Sequence, residues 1–225
     1  MEPGTSSDPS LVATRVALHA VAEHVLAPAS RAATDRIGLR VVPGGFATRE
    51  LAPGRWVGIV GAHLVIHDGG DEQVIPLTDL RTAAATIGVE PGAPADLYAP
   101  VTQVDLDAPL TVDAEASARL ADWFALGDAA LRRFVAAHPD EAADPVTLWP
   151  EHFDLATTAE RVNYGFAAGD DHHAGPYLYI GPWEPPTGPF WNAPFGRLVP
   201  ATDVADVDAA VALLEQGRAA ARATA

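Results

Sequence analysis

The chain has no cysteine and no lysine. The first absence removes disulfides, thiol nucleophiles and cysteine metal sites. The second removes Schiff-base chemistry, the anchor for pyridoxal phosphate and the phosphate-binding lysine of a Walker loop. Serine is scarce too. Ser6, Ser7, Ser10, Ser30 and Ser117 are the whole set, and none sits in a G-x-S-x-G elbow, which argues against a serine hydrolase. No G-x-G-x-x-G motif is present, so a Rossmann-type dinucleotide is not expected. H-E-x-x-H and the EF-hand loop are absent as well. Apolar runs are short, broken by charge, Gly or Pro, and none approaches the roughly 18 residues that a bilayer span needs. The first ten residues, "MEPGTSSDPS", lack the basic start and apolar stretch of an export signal. A cytoplasmic location is the expectation.

Positive charge is the remaining shortage. Fourteen arginines face 30 acids, for a net charge of −16. Most of the surface then repels nucleic acid and anionic membrane, so neither is an expected partner. What is present suits a globular protein: 225 residues, 48% of them hydrophobic, are enough for a substantial core.

Residues 1–8 read as a flexible tail, and residues 9–225 as one domain, with a division into two halves allowed near 89–110. Asp8 and Pro9 look like an N-cap and first helical residue. Leu11, Leu18, Val21 and Val25 recur at helical spacing, which predicts a helix over 10–26 that stops at Pro28. "RIGLRVV" and "GGFATRE" predict two strands. In "RWVGIVGAHLVIHDGGDEQVIPL" three apolar runs are separated by Gly-Ala and Asp-Gly-Gly, the pattern of an antiparallel meander. A short helix is expected from Thr78 to Gly88, and a small strand around "VTQVDL". A long helix follows over 113–138, then a hairpin in "VTLWPEHFDLATTAERVNYGF" with its turn near Ala159-Glu160. "PYLYIGPW" reads as another strand, and a last helix spans about 203–222. No repeat of 20–50 residues is visible. The fold class is therefore α+β, an antiparallel sheet of hairpins and a meander packed by about three amphipathic helices.

The chemistry left by these exclusions belongs to carboxylates, imidazoles and phenols. His63 and His67 share a strand face but stand about 13 Å apart, too far for one ion. His19 with Glu23 is an i,i+4 helix pair read as a surface or half-buried contact, and His138 as a helix C-terminal residue. In "EHFDLA" an extended backbone would put His152 and Asp154 on one face about 6.6 Å apart, with Phe153 and Leu155 turned to the core. "GDDHH" brings Asp170, Asp171, His172 and His173 into a Gly-rich loop. If the hairpin is real, Phe166 returns beside His152 and that loop leaves from the same end. His152, Asp154 and His172 are then candidate catalytic groups. Trp149, Tyr177, Trp183 and Trp191 are candidate substrate-binding walls. His152, Asp154, Asp171, His172 and His173 are candidate ligands for a divalent metal such as zinc.

"LWPEHFDLA", followed by "NYGF", "GDDHH" and "PYLYIGPWEPP", resembles a bacterial domain family of unknown function. Its members carry F-D-L-A, a later G-F turn and an aromatic run ending in P-E-P. The resemblance runs from about Leu18 to Pro200 and implies one coherent domain with 148–186 as its signature; it implies no activity. Two functions stay open. One is a small-molecule enzyme working by acid/base proton transfer or metal-assisted hydrolysis. The other is a non-catalytic module that binds a ligand or protein through the Trp/Pro-rich loop 181–196. Convergent polar groups at the bottom of a pocket favour the first, and an aromatic patch on a convex surface favours the second. On charge alone, the protein should leave DNA and RNA unshifted in a gel at physiological salt; a salt-sensitive shift would overturn the charge argument.

Overall fold

Asp8 caps the first helix as its spacing predicts: its carboxylate accepts from the Ser10 N–H at 3.0 Å, with Pro9 at the first helical position. In the computed structural model of the chain, residues 8–102, 104–184 and 187–224 are described. Residues 1–7, most of the expected tail, lie outside that set.

Helix α1 (Pro9–Val21) does not stop at Pro28. It passes through a π-helical turn, Ala22–Leu26, into α2 (Ala27–Thr34). The reason is local. Pro28 stands near the start of α2, where it has no N–H to offer the His24 carbonyl four residues back. The Gly92 N–H donates to that carbonyl instead, at 3.0 Å. The backbone is satisfied and the helix continues.

Strands β1 (Leu39–Val42), β2 (Gly45–Thr48), β3 (Arg55–Val60), β4 (His63–Asp68) and β5 (Asp71–Pro76) form an antiparallel meander. Helix α3 (Leu80–Ile87) follows, capped by Asp79 and ended by Gly88 with φ 75°. The long connection forms no strand at 101–106 among its described residues; Gln103 lies outside them. Its bonds go to α3 instead, Arg81 N–H to the Leu106 carbonyl and Leu110 N–H to the Thr78 carbonyl. Helix α4 (Ala114–Ala137) starts at its Asp113 cap. Strands β6 (Thr147–Trp149), β7 (Asp154–Ala159), β8 (Val162–Ala167), β9 (Tyr177–Pro182) and β10 (Arg197–Pro200) make a second meander. Helix α5 (Val207–Thr224) begins later than expected, because Asp206 rather than Asp203 caps the Ala209 N–H, at 2.8 Å.

The expected α+β class is present, with all strands in one antiparallel sheet of ten ordered β10-β9-β8-β7-β6-β1-β2-β3-β4-β5. The order splits into two equivalent meanders, each preceded by a helix and joined at β1 and β6 through Leu39 opposite Leu148. Helix α4 crosses this seam and touches β1 and β2 on one side and β7 and β8 on the other; α5 covers β8 and β9.

Strand alternation sorts the second meander into two faces. Leu155, Tyr164, Phe166, Leu178 and Ile180 are buried on the helix side. Asp154, Asn163, Gly165, Ala167, Tyr177 and Tyr179 occupy the other face, which no helix covers in full.

Close approach of α4 to β8 requires Gly127. A Cβ there would stand 2.6 Å from the Phe166 ring. Gly127→Val should destabilise the protein by about 1–3 kcal/mol through this overlap. Denaturant unfolding checks it, and an unchanged midpoint would show that the helix–sheet spacing has slack.

Candidate functional site

The uncovered face of β7, β8 and β9 is the floor of a cavity of about 820 Å³. This is within the roughly 300–1,000 Å³ of small-molecule sites. Asp154, Asn163, Ala167, Tyr177, Tyr179 and Gly181 form the floor. Glu151 and His152 come from the turn between β6 and β7; Asp170, Asp171 and His172 come from the loop between β8 and β9. Arg15, Val16 and His19 of α1 close one side, Val101 and Thr102 another, and Trp183 and Phe195 of the Trp/Pro-rich loop a third.

The sequence-derived candidates His152, Asp154 and His172 therefore line one cavity, together with Asp171, Tyr177 and Trp183. His173 lies outside the lining; its N–H donates to Asp170 at 3.0 Å. Two expected walls are elsewhere. Trp149, at the end of β6, is 37% exposed, and Trp191 packs against the core. The extended reading of "EHFDLA" also needs correction. His152 and Phe153 belong to a turn, with Phe153 at φ 49°, and the strand starts at Asp154. Phe153 and Leu155 still reach the core as expected, and His152 is exposed on the rim.

No group of three or more His, Asp or Glu side chains among the described residues is placed to hold a metal ion. The candidate ligands His152, Asp154, Asp171 and His172 thus line the cavity without converging on one point, and His173 lies outside it. Their hydrogen bonds explain part of this. Asp170 Oδ1 accepts from the N–H groups of His172 and His173, which curls the loop, and its Oδ2 accepts from the Tyr177 hydroxyl. The loop is built around Asp170 rather than around an ion.

Asp154 is the central group. It is 7% exposed, and its Oδ2 accepts from the Tyr179 hydroxyl. Tyr179 reaches it across β8 because residue 165 is glycine; a Cβ there would stand 2.4 Å from the Tyr179 ring. Asp154 Oδ1 is buried with no hydrogen-bond partner in the protein. Burial pushes this carboxyl up to about 6, against the opposing pull of the Tyr179 hydrogen bond and the nearby His152. Tyr179 itself is held well above the usual phenol range, first by burial and then by the Asp154 charge.

Two further polar atoms share this condition. Glu151 Oε2 and His19 Nε2 are buried and unpartnered, and both residues line the same cavity. Burial raises the Glu151 carboxyl and lowers the His19 imidazole. His19 stacks on Phe153, ring centroids 5.4 Å apart and 9° from parallel. Arg15 donates to the Ala174 carbonyl at 2.9 Å, which ties α1 to the loop carrying Asp170.

The π-turn serves this site. It carries Glu23, 0% exposed, whose carboxylate accepts from the N–H groups of Val101 and Thr102 at 2.9 Å each and from the Thr102 hydroxyl. His24 Nε2 meets the same hydroxyl at 2.7 Å. A lone π-turn inside a helix often marks a functional region; here it fixes the segment that walls the cavity. His19 and Glu23 are thus no surface pair: His19 faces the cavity and Glu23 pins the connection.

Arg15, His19, Glu151, Asn163 and Tyr179 were not among the sequence-derived candidates. Adjacency to "HFD" was the available signal for Glu151, and the apolar–aromatic alternation of "YLYI" the signal for Tyr179. Helix α1 carried none, because its approach to the second meander is a long-range contact. No protein-family model, curated protein or solved structure matches the chain. The site is therefore read from its own geometry.

An acid raised by burial binds its proton more tightly folded than unfolded. Its contribution to stability is full below the ordinary value of 3.8 and is lost as the pH rises through about 6. Asp154→Asn cannot ionise and should lack this loss. From acid to neutral pH, wild type should lose on the order of 3 kcal/mol relative to the variant. Denaturant unfolding of both proteins across that window is the measurement; parallel curves would mean an ordinary, solvated Asp154.

Proposed function

We propose that the protein is a small-molecule enzyme in which Asp154 acts as the acid/base group. One observation carries this reading. At the floor of a substrate-sized cavity stands a carboxyl that burial pushes up to about 6, with one oxygen held by a tyrosine and the other buried without a protein partner. A proton donor or acceptor works best when its pKa lies near the working pH. The Tyr179 hydrogen bond fixes the carboxyl's orientation and leaves Oδ1 to take or give the proton. His152 and His172, exposed on the rim, are placed to exchange protons with solvent, and Glu151 and His19 supply further polar contacts. Proton abstraction or water-mediated hydrolysis on a bound small molecule fits this set. The metal-assisted form of the reading has no geometric support in the ligand arrangement.

The rival reading, a non-catalytic module using loop 181–196, draws on the exposure of Trp183, which is 57%. The other described rings of the loop do not join it. Trp191 packs against the core, Phe190 meets Arg197, and Phe195 lines the cavity. Pro185 and Pro186 lie outside the described residues. The loop's contribution is thus a cavity wall more than a convex aromatic patch.

The test is a ¹³C NMR titration of the Asp154 carboxyl, assigned through Asp154→Asn. It should titrate near 6, and Tyr179→Phe should move it upward, because the phenol hydrogen bond favours the charged form. Titration at an ordinary carboxylate value in both proteins would remove Asp154 as the acid/base group.

A further inference from the structure

We infer that the cavity binds an organic cation whose charged head carries at least two N–H donors, an ammonium, amidinium or guanidinium on an apolar body. The inference rests on the preceding reading of the cavity as a small-molecule site and names the class of molecule it takes.

The argument starts from the unpartnered atoms. Asp154, Glu151 and His19 line one cavity, and in each of them one polar atom, Asp154 Oδ1, Glu151 Oε2 and His19 Nε2, is buried without a partner in the protein. Leaving a buried polar group unsatisfied costs about 1–3 kcal/mol, and more for a charged one. Ionised carboxylate oxygens only accept hydrogen bonds. Burial pushes the His19 imidazole down, which favours the neutral ring, and a neutral imidazole keeps one acceptor nitrogen. Two carboxylate oxygens and an imidazole nitrogen without partners describe a ligand that donates.

Charge points the same way. Four acids line the cavity, Glu151, Asp154, Asp170 and Asp171, against Arg15 as the one lining arginine. That arginine already serves the Ala174 carbonyl and faces Asp170 and Asp171. Asp170 is used up by the His172 and His173 amides and by Tyr177. The uncompensated negative charge therefore sits at Asp154 and Glu151, on the floor and the adjoining turn. An anionic ligand would meet these two carboxylates with no free arginine among the described lining residues to receive it.

The apolar part of the ligand has its own partners. Tyr177, Tyr179 and Phe195 form a cluster with ring centroids 6.2–6.3 Å apart, and all three line the cavity. Rings of this kind attract a cation through their π-faces and cover its hydrocarbon part. A metal ion suits this set poorly, since no three donors converge.

The test uses three molecules of nearly one shape: benzamidine, benzamide and benzoate. Each is titrated against the whole chain by calorimetry and thermal shift, at a pH above the Asp154 transition. Benzamidine should bind and raise the melting temperature, while benzamide and benzoate should be at least about tenfold weaker, the value of losing a charge-assisted hydrogen bond. Asp154→Asn and Glu151→Gln should each weaken benzamidine by about tenfold or more. Asp71→Asn, on the exposed edge strand β5, should change nothing. Both carboxyl variants keep their shape, and their circular dichroism and melting curves report whether they fold. Equal or tighter binding of benzoate or benzamide, dependent on Asp154, would overturn the cation assignment while leaving the site reading intact. Absence of binding by all three would also overturn it, and the NMR titration of Asp154 would then decide the site reading by itself.

Discussion

Everything in this molecule hangs on the seam between β1 and β6. There the two meanders become one sheet, through a pairing as short as Leu39 opposite Leu148. So short a pairing cannot hold two five-stranded units together by backbone hydrogen bonds alone. Helix α4 supplies the rest. It lies across the seam with Leu120, Phe124, Leu131 and Phe134 buried, and touches strands of both meanders. Because α4 takes the helix-side face, the opposite face of β7 to β9 is left for chemistry. Trp123 of α4 then donates to the Ala167 carbonyl at 2.9 Å, pinning the end of β8 that leads into the Asp170 loop.

The floor of the cavity carries a cost in stability. Hydrophobic residues at positions 154 and 179 would satisfy the sheet without burying a carboxyl. Instead the sheet keeps Gly165 beneath the Tyr179 ring and places Asp154 where water does not solvate it. The buried charge is only half compensated: one oxygen has the phenol and the other has nothing in the protein. Buried polar groups are usually satisfied, so an exception with Glu151 and His19 in the same cavity is a concentrated cost. Such local costs gather at functional sites, where a group must stay ready for a partner that comes and goes.

Much of the architecture was legible because period and turn chemistry agree. Apolar runs between Gly-rich turns marked the first meander, and a hairpin and the strand after it marked most of the second. The turn at Glu160 and Arg161 lies within a residue of its expected place, and both residues adopt positive φ. The cavity's second-meander side was legible for the same reason: hairpin closure brings Asp154 opposite Ala167, and the Asp170 loop leaves from that end. What stayed hidden depends on contacts distant in sequence. Pro28 reads as a stop until Gly92 is seen to satisfy the carbonyl it frees. His19 reads as a surface or half-buried partner of Glu23 until α1 is seen against Phe153 and the 168–176 loop. Strands β6 and β10 are short, three and four residues, too short for a period to declare itself.

The equivalence of the two meanders shows what sets the cavity side apart. Strands β2, β3 and β4 correspond in order to β7, β8 and β9. Ala47 pairs with Gly58 and Gly58 with Val65; Ala156 pairs with Gly165 and Gly165 with Tyr179. The small-residue step recurs, but Val65 stands where Tyr179 stands and Gly45 where Asp154 stands. The connections diverge further. Pro43 and Gly44 join β1 to β2, whereas Pro150–Phe153 joins β6 to β7 and carries Glu151 and His152. Gly61 and Ala62 join β3 to β4, whereas residues 168–176 join β8 to β9 and carry Asp170, Asp171 and His172. Both enlarged connections lie at one end of the sheet, the end facing α1. One meander keeps tight turns and an aliphatic step. The other carries acids and imidazoles on its longer connections, and that asymmetry within a shared strand plan is what puts the cavity floor on the second half.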